Sequence, residues 1–326
     1  TRTPTLFPYT TLFRSISSKF VYQFPNGLHL NEGTTYSYYF EVIDNDAVNN
    51  FKSTKSSVYL HNELNVIEKQ DENLNNQMQQ INALEKSLTQ SKSSDKKSNE
   101  MNQMLKQNSN LDYKDIKKLQ DFFNSEIENN KKIEDAAKKL SEKLDEKSKK
   151  DESKKAEELQ KRLDNLQKEQ EKNKKLYDEL KKYTDKLTKE ELLEKMQQAK
   201  QNAAQQKKSM EQLVEQTKRF YVEQKAEQTM KKLEELATKQ ENLSTENQNS
   251  NDKQEELNKE FENIKEDLND LKQENEGLKK PMDLPNMDAD AEDAKQEMQK
   301  ASDQLKKNNQ NTAKQNKKKA ANKMKE

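Results

Sequence analysis

From about residue 63 to the end of the chain, apolar residues recur three and four apart, and little else there is apolar. The clearest run is Leu257, Phe261, Ile264, Leu268, Leu271 and Leu278, with Asn275 at the remaining seam position. A mean spacing of about 3.5 residues puts one narrow apolar stripe on each helix, between faces of Lys, Glu, Gln and Asn. A stripe of that width is buried only against another helix. The pattern predicts a mainly α fold of long antiparallel coiled-coil or helical-bundle segments over residues 63–280.

Caps and breaks divide the pattern. A first helix is expected over 63–90, with Leu64, Ile67, Leu74, Met78, Ile81 and Leu88 on its seam, ending in a polar Ser/Lys break at 91–98. Asp112, with Asp115 three residues on, reads as a helix start. From there Ile116, Leu119, Phe123, Ile127, Ile133, Ala137, Leu140 and Leu144 carry a seam to about 149. Leu159, Leu163, Leu166, Leu176, Leu180, Tyr183 and Leu187 extend it; with no Gly or Pro between the runs, one continuing helix is compatible with the sequence. Thr188 and Glu191 form a capping box that opens a helix to about 243, a rod of roughly 80 Å. Asp252 and Glu255 read as a second capping box after a polar break at 244–251, and Gly277 as a C-terminal cap. Pro281 and Pro285 mark a linker over 281–290; Ala294, Met298, Ala301 and Leu305 then introduce terminal helices over 291–326, cut short. Short polar breaks favour helices that fold back antiparallel.

Residues 16–62 differ in kind. Tyr36, Tyr38, Phe40 and Val42 alternate with Ser37, Tyr39, Glu41 and Ile43, the period-two signature of a strand. Further strands are expected over 54–60 and 20–24, the latter ahead of Pro25-Asn26-Gly27. Together they read as a β remnant of an immunoglobulin- or fibronectin-like sandwich, with too few strands to close one. The turn Asp44-Asn45-Asp46 offers carboxylates to a hard cation, so Asp44 and Asp46 are weak candidate calcium ligands. Short acidic turns without an ion are far commoner.

Residues 1–15, TRTPTLFPYTTLFRS, resemble a translated sequencing-adapter read-through. The expectation is that they are an artefact, non-native to this protein, and that upstream sequence is missing.

Composition narrows the chemistry. Of 326 residues, 29% are hydrophobic and 37% charged, with three glycines, too little apolar material for a wide globular core. Sixty basic residues balance sixty acidic ones, so no basic surplus points to nucleic acid. There is no cysteine, and both histidines, His29 and His61, precede the helical region, which removes thiolate and His-based chemistry from the helices. The glycines, at 27, 33 and 277, form no phosphate-binding loop. Carboxylate pairs such as Glu190 and Glu191 lack the apolar pocket that separates catalytic pKa values. No catalytic residue, cofactor or metal is expected beyond the weak Asp44 and Asp46 pair. Arg219, Phe220, Tyr221 and Val222 stand out, because three successive bulky residues exceed what one seam buries. They read either as a wider contact with a third helix or with the β remnant, or as a partner-docking patch. The Lys-rich end of the chain reads either as a contact for anionic lipid or nucleic acid or, the favoured reading, as a helix start cut short and paired with the acidic stretch 283–297.

Tyr39-Phe40-Glu41-Val42-Ile43-Asp44-Asn45-Asp46, the helix around Thr217 to Ala226, and the final Lys-Lys-Lys-Ala-Ala-Asn-Lys-Met-Lys-Glu resemble segments of large bacterial envelope proteins grouped as domain-of-unknown-function family 4175. The resemblance implies transmembrane helices upstream, then β domains, then a long helical region outside the cytoplasm. On that basis the part described here is expected to be periplasmic, attached to a membrane only through the missing segment. The family supplies no catalytic residues. The expected function is a non-catalytic scaffolding region of a cell-envelope protein. It would meet protein partners through its helices, bind no nucleic acid and be able to self-associate into a homo-oligomer through the same seams. The alternatives are a regulatory coiled-coil module of a membrane-associated enzyme of envelope or peptidoglycan metabolism, and a cytoplasmic chromosome-organising coil.

Overall fold

A computed structural model of the chain describes residues 19–44, 51–108, 110–148, 154–245 and 251–326. They divide into two compact units, one ending at Val66 and the other running from Ile67 to Glu326. The chain is mainly α, with a small antiparallel β region ahead of the helices. The adapter-like residues 1–15 lie outside the described residues.

The β region is a ribbon of two ladders. Strand β1 (Thr34–Tyr38) pairs with β4 (Tyr59–Glu63), and β2 (Glu41–Ile43) with β3 (Ser53–Lys55). Tyr38 faces Tyr59 and Glu41 faces Lys55, and Ser56 N–H donates to the Phe40 carbonyl at 2.8 Å. Tyr39 is therefore set against both Ser57 and Val58, a one-residue bulge that separates the ladders. Residues 20–24 are not a strand, which corrects the expectation. They still place alternate aromatics on the ribbon: Phe24 stacks on Tyr38 at 4.2 Å and meets His61 edge-on, and Tyr22 meets Phe40. Gly27, at φ 83°, supplies the left-handed turn after Pro25.

The helical unit begins with α1 (Val66–Gln107), α2 (Tyr113–Ser148), α3 (Lys154–Tyr183) and α4 (Lys189–Thr245). Cross-helix partners fix α1 and α4 as antiparallel neighbours: Lys232 meets Asp71, Lys218 meets Glu85, Lys92 meets Glu211, and Lys200 meets Asn99. Asn129 reaches Ser91 across α1 and α2, Lys174 reaches Glu134 across α2 and α3, and Lys155 reaches Glu223 across α3 and α4. These pairings close an up-down four-helix bundle. The rest of α4 joins α5 (Asn251–Glu276), α6 (Asp288–Lys306) and α7 (Gln310–Lys325) in a second one. Its core is Leu236, Ala237, Phe261, Ile264, Ala294, Met298, Ala320 and Met324. At 57 residues α4 is about 85 Å long and belongs to both.

Several boundaries differ from expectation. Helix α1 does not stop at 91–98. Its buried positions Leu74, Gln77, Ile81, Leu84 and Leu88 keep a 3-4 alternation whose phase passes through Ser91, Asp95, Ser98 and Asn102 to the buried Leu105. The polar stretch is thus seam, facing polar partners. Nor do α2 and α3 form one rod; they pack antiparallel. Asp112 caps α2, its Oδ1 accepting from Asp115 N–H at 2.8 Å. Thr188 and Glu191 form the reciprocal box at the start of α4, at 2.8 and 3.3 Å. The second box is absent: α5 already includes Asn251 and Asp252, and the Glu255 carboxylate takes Asn251 Nδ2 and Lys306. After Gly277, Asn275 clamps the linker with both ends of its amide, accepting from Met282 N–H at 2.7 Å and donating to the Met282 carbonyl at 2.9 Å. In the last hairpin Lys323 meets Asp290 and Asp293.

Candidate functional site

The interior of the first bundle is not continuous. One apolar cluster gathers Leu84, Leu88, Ile133, Leu140, Leu163, Leu166, Met210 and Phe220 among others. A second gathers Leu105, Leu119, Phe122, Phe123, Tyr177, Leu180, Leu192 and Met196. Between them lies a layer built from seam positions that the sequence fills with polar residues. They are Ser91, Ser94, Asp95 and Ser98 from α1, Glu126, Asn129 and Asn130 from α2, Asn173 and Tyr177 from α3, and Gln206 and Lys207 from α4.

The amides form a directed chain. Asn173 Nδ2 donates to Gln206 Oε1, Gln206 Nε2 to Asn130 Oδ1 at 3.2 Å, and Asn130 Nδ2 to the Glu126 carbonyl at 2.8 Å. Asn129 Nδ2 donates to Ser91 Oγ at 2.9 Å, and Ser91 Oγ in turn to the Ser87 carbonyl at 3.0 Å. Ser94 Oγ donates to the Glu126 carboxylate. Burial lifts the Glu126 carboxyl above its ordinary range; the Ser94 bond opposes this, the Asp95 charge adds to it, and Lys97 opposes it. The Tyr177 phenol is likewise held well above its usual range, by burial first and then by the charges of Glu126 and Asp95. Lys207 pairs with Asp95, and Lys200 Nζ donates to Asn99 Oδ1 at 2.8 Å. The layer lines a small, partly open cavity of about 30 Å³. It links all four helices in one register, since a slip of any helix would strand buried amides.

Amide pairs recur along the helices. Gln77 Nε2 donates to Gln224 Oε1 across α1 and α4. Gln240 and Gln254 exchange bonds in both directions, at 2.8 and 3.1 Å, across α4 and α5. Gln170 is 1% exposed, and neither its Nε2 nor its Oε1 has a partner.

Arg219, Phe220, Tyr221 and Val222 lie where the two bundles share α4. Phe220 packs in the first bundle's core, whereas Tyr221 and Val222 pack with Leu74 and Ile81 of α1 and Leu271 and Leu278 around the end of α5. Three helices thus bury the three bulky residues, and Arg219 donates to the Lys280 carbonyl at 3.3 Å. Burial, with the nearby Glu274, Asp270, Asp267 and Asp71, pushes the Tyr221 hydroxyl up to about 12. About three turns on, Lys232 lies 2.7 Å from both Asp71 and Asp267, joining α1, α4 and α5. Burial opposes its charge, but the two carboxylates outweigh that and hold its pKa above the ordinary value.

Asp44 follows β2, its backbone N–H donating to the Lys52 carbonyl at 2.9 Å; Asp46 lies outside the described residues. No cluster of three or more His, Cys, Asp or Glu side chains suited to a metal occurs among the described residues, and among them no helix is long and apolar enough to cross a membrane.

The polar layer escaped sequence reasoning, which took 91–98 for a break and placed Ile127 rather than Glu126 on the α2 seam. The usable signal was phase: Leu105 continues the alternation set by Leu74, Ile81 and Leu88, and Leu119, Phe123, Glu126, Asn130 and Ile133 alternate by four and three. The chain matches no family model, no curated protein and no solved structure.

Proposed function

We propose that this chain is a non-catalytic structural region whose role is mechanical: a long helical arm that holds reach and register for a larger cell-envelope protein. The single observation that carries the reading is α4, which runs unbroken through two bundles and serves as the common strut of both. Helices tied to such a strut along its length resist bending, because a kink would have to break packing on several sides at once. The envelope setting rests on the family resemblance of the β ribbon, the Thr217 to Ala226 helix and the terminal lysine segment.

The test uses the cysteine-free background. Spin labels at Glu194→Cys and Glu235→Cys, both exposed on α4, are expected to give a narrow distance distribution near 60 Å, from about 1.5 Å of rise per residue. A broad distribution, or one centred well below that length, would refute a strut.

A further inference from the structure

We propose that the cavity in the polar layer of the first bundle is a binding site for ordered water, with Asn129 and Glu126 as its acceptors and Tyr177 as its hydroxyl partner. Ser91 Oγ is engaged with Ser87, Ser94 Oγ with Glu126, Asn129 Nδ2 with Ser91, Asn130 Nδ2 with the Glu126 carbonyl, and Gln206 Nε2 with Asn130. The two ammonium groups that line the cavity each have a partner of their own, Lys207 in Asp95 and Lys200 in Asn99.

Two buried acceptors nevertheless remain under-supplied. Asn129 is 2% exposed, its Oδ1 has no hydrogen-bond partner, and its side chain lines the cavity. The Glu126 carboxylate, 8% exposed, has the single donor Ser94 from the protein side chains around it. The occupant must therefore be small and must donate at least two hydrogen bonds. A cavity of about 30 Å³ exceeds the roughly 10–15 Å³ that one water requires. Water donates once to Asn129 Oδ1 and once to Glu126, and accepts from the Tyr177 phenol, which burial keeps protonated. Three bonds is the usual complement of a buried water. A bare cation fits the charges less well, since the lining carboxylates Asp95 and Glu126 are matched by Lys200 and Lys207.

Water-proton and oxygen-17 relaxation dispersion on the whole chain tests this. The expected result is a dispersion step from one or two long-lived waters per chain. It should be lost in Asn129→Leu and displaced to shorter residence in Tyr177→Phe, with helical circular dichroism unchanged in the second variant. Absence of the step in the parent protein would overturn the proposal, as would a step identical in parent and Tyr177→Phe. A melting temperature that rises with potassium or ammonium chloride, but not with choline chloride at equal ionic strength, would also overturn it, because the cavity would then hold a cation.

Discussion

Two glutamines in the same bundle should respond to the same substitution with opposite sign. Gln170 is buried on α3 with both amide atoms unpartnered. Gln206 is buried on α4 with its amide bonded on both sides, to Asn173 and Asn130. An unsatisfied buried polar group costs about 1–3 kcal/mol, while a satisfied one contributes only about 1 kcal/mol net. Methionine has nearly the length of glutamine and no strong hydrogen-bonding group. Gln170→Met therefore removes two orphaned atoms without opening a void, and is expected to stabilise by about 1–3 kcal/mol. Gln206→Met strands Asn173 Nδ2 and Asn130 Oδ1, and is expected to destabilise by about 2–4 kcal/mol. For a unit of this size each kcal/mol moves the melting temperature by about 2–4 °C. Thermal melts followed by circular dichroism should show Gln170→Met above the parent and Gln206→Met below it. Equal shifts of one sign would refute the reasoning, because they would mean that amide pairing does not distinguish the two positions.

Glu126 gives a pH signature. Its folded-state pKa is raised above 4.5, so the folded chain binds this proton more tightly than the unfolded chain. The associated stability is complete below about pH 4.5 and is lost as pH rises through the folded value. Replacing it by Gln should stabilise the bundle at pH 7 and flatten that part of the melting-temperature profile; an unchanged profile contradicts a buried carboxyl. Phe220→Ala should cost about 3–5 kcal/mol in chemical denaturation, because the ring fills space in the cluster that holds Ala156 and Leu159; a loss below about 1 kcal/mol would contradict its burial. Thr188→Ala removes the reciprocal cap of α4 and should cost about 1 kcal/mol, read as a lower melting temperature, with no change refuting the cap.

The helical architecture was legible because seam residues such as Leu163, Phe261 and Met298 are apolar and regularly spaced, and because the caps at Asp112 and Thr188 are local chemistry. The candidate site was not. A seam filled with Ser, Asp and Asn looks like a solvated linker when each residue is judged by polarity, and only its phase relative to Leu88 and Leu105 shows that it faces inward. The antiparallel pairing of α2 with α3 was equally hidden, since no Gly or Pro lies between Leu144 and Leu159 and only packing of the two seams against each other requires a reversal. Residues 20–24 alternate like a strand because Tyr22 and Phe24 present their rings to Phe40 and Tyr38 of the ribbon, which needs no ladder of backbone hydrogen bonds.

These seams close within one chain, by helices folding back on one another. Lys92 of α1 and Glu211 of α4, 2.9 Å apart and far separated in sequence, offer the most direct measurement. With Lys92→Cys and Glu211→Cys in the otherwise cysteine-free protein, a short bismaleimide should link the two sites within single chains, in a yield that dilution leaves unchanged. Links that form only between chains, or whose yield falls away on dilution, would contradict the account.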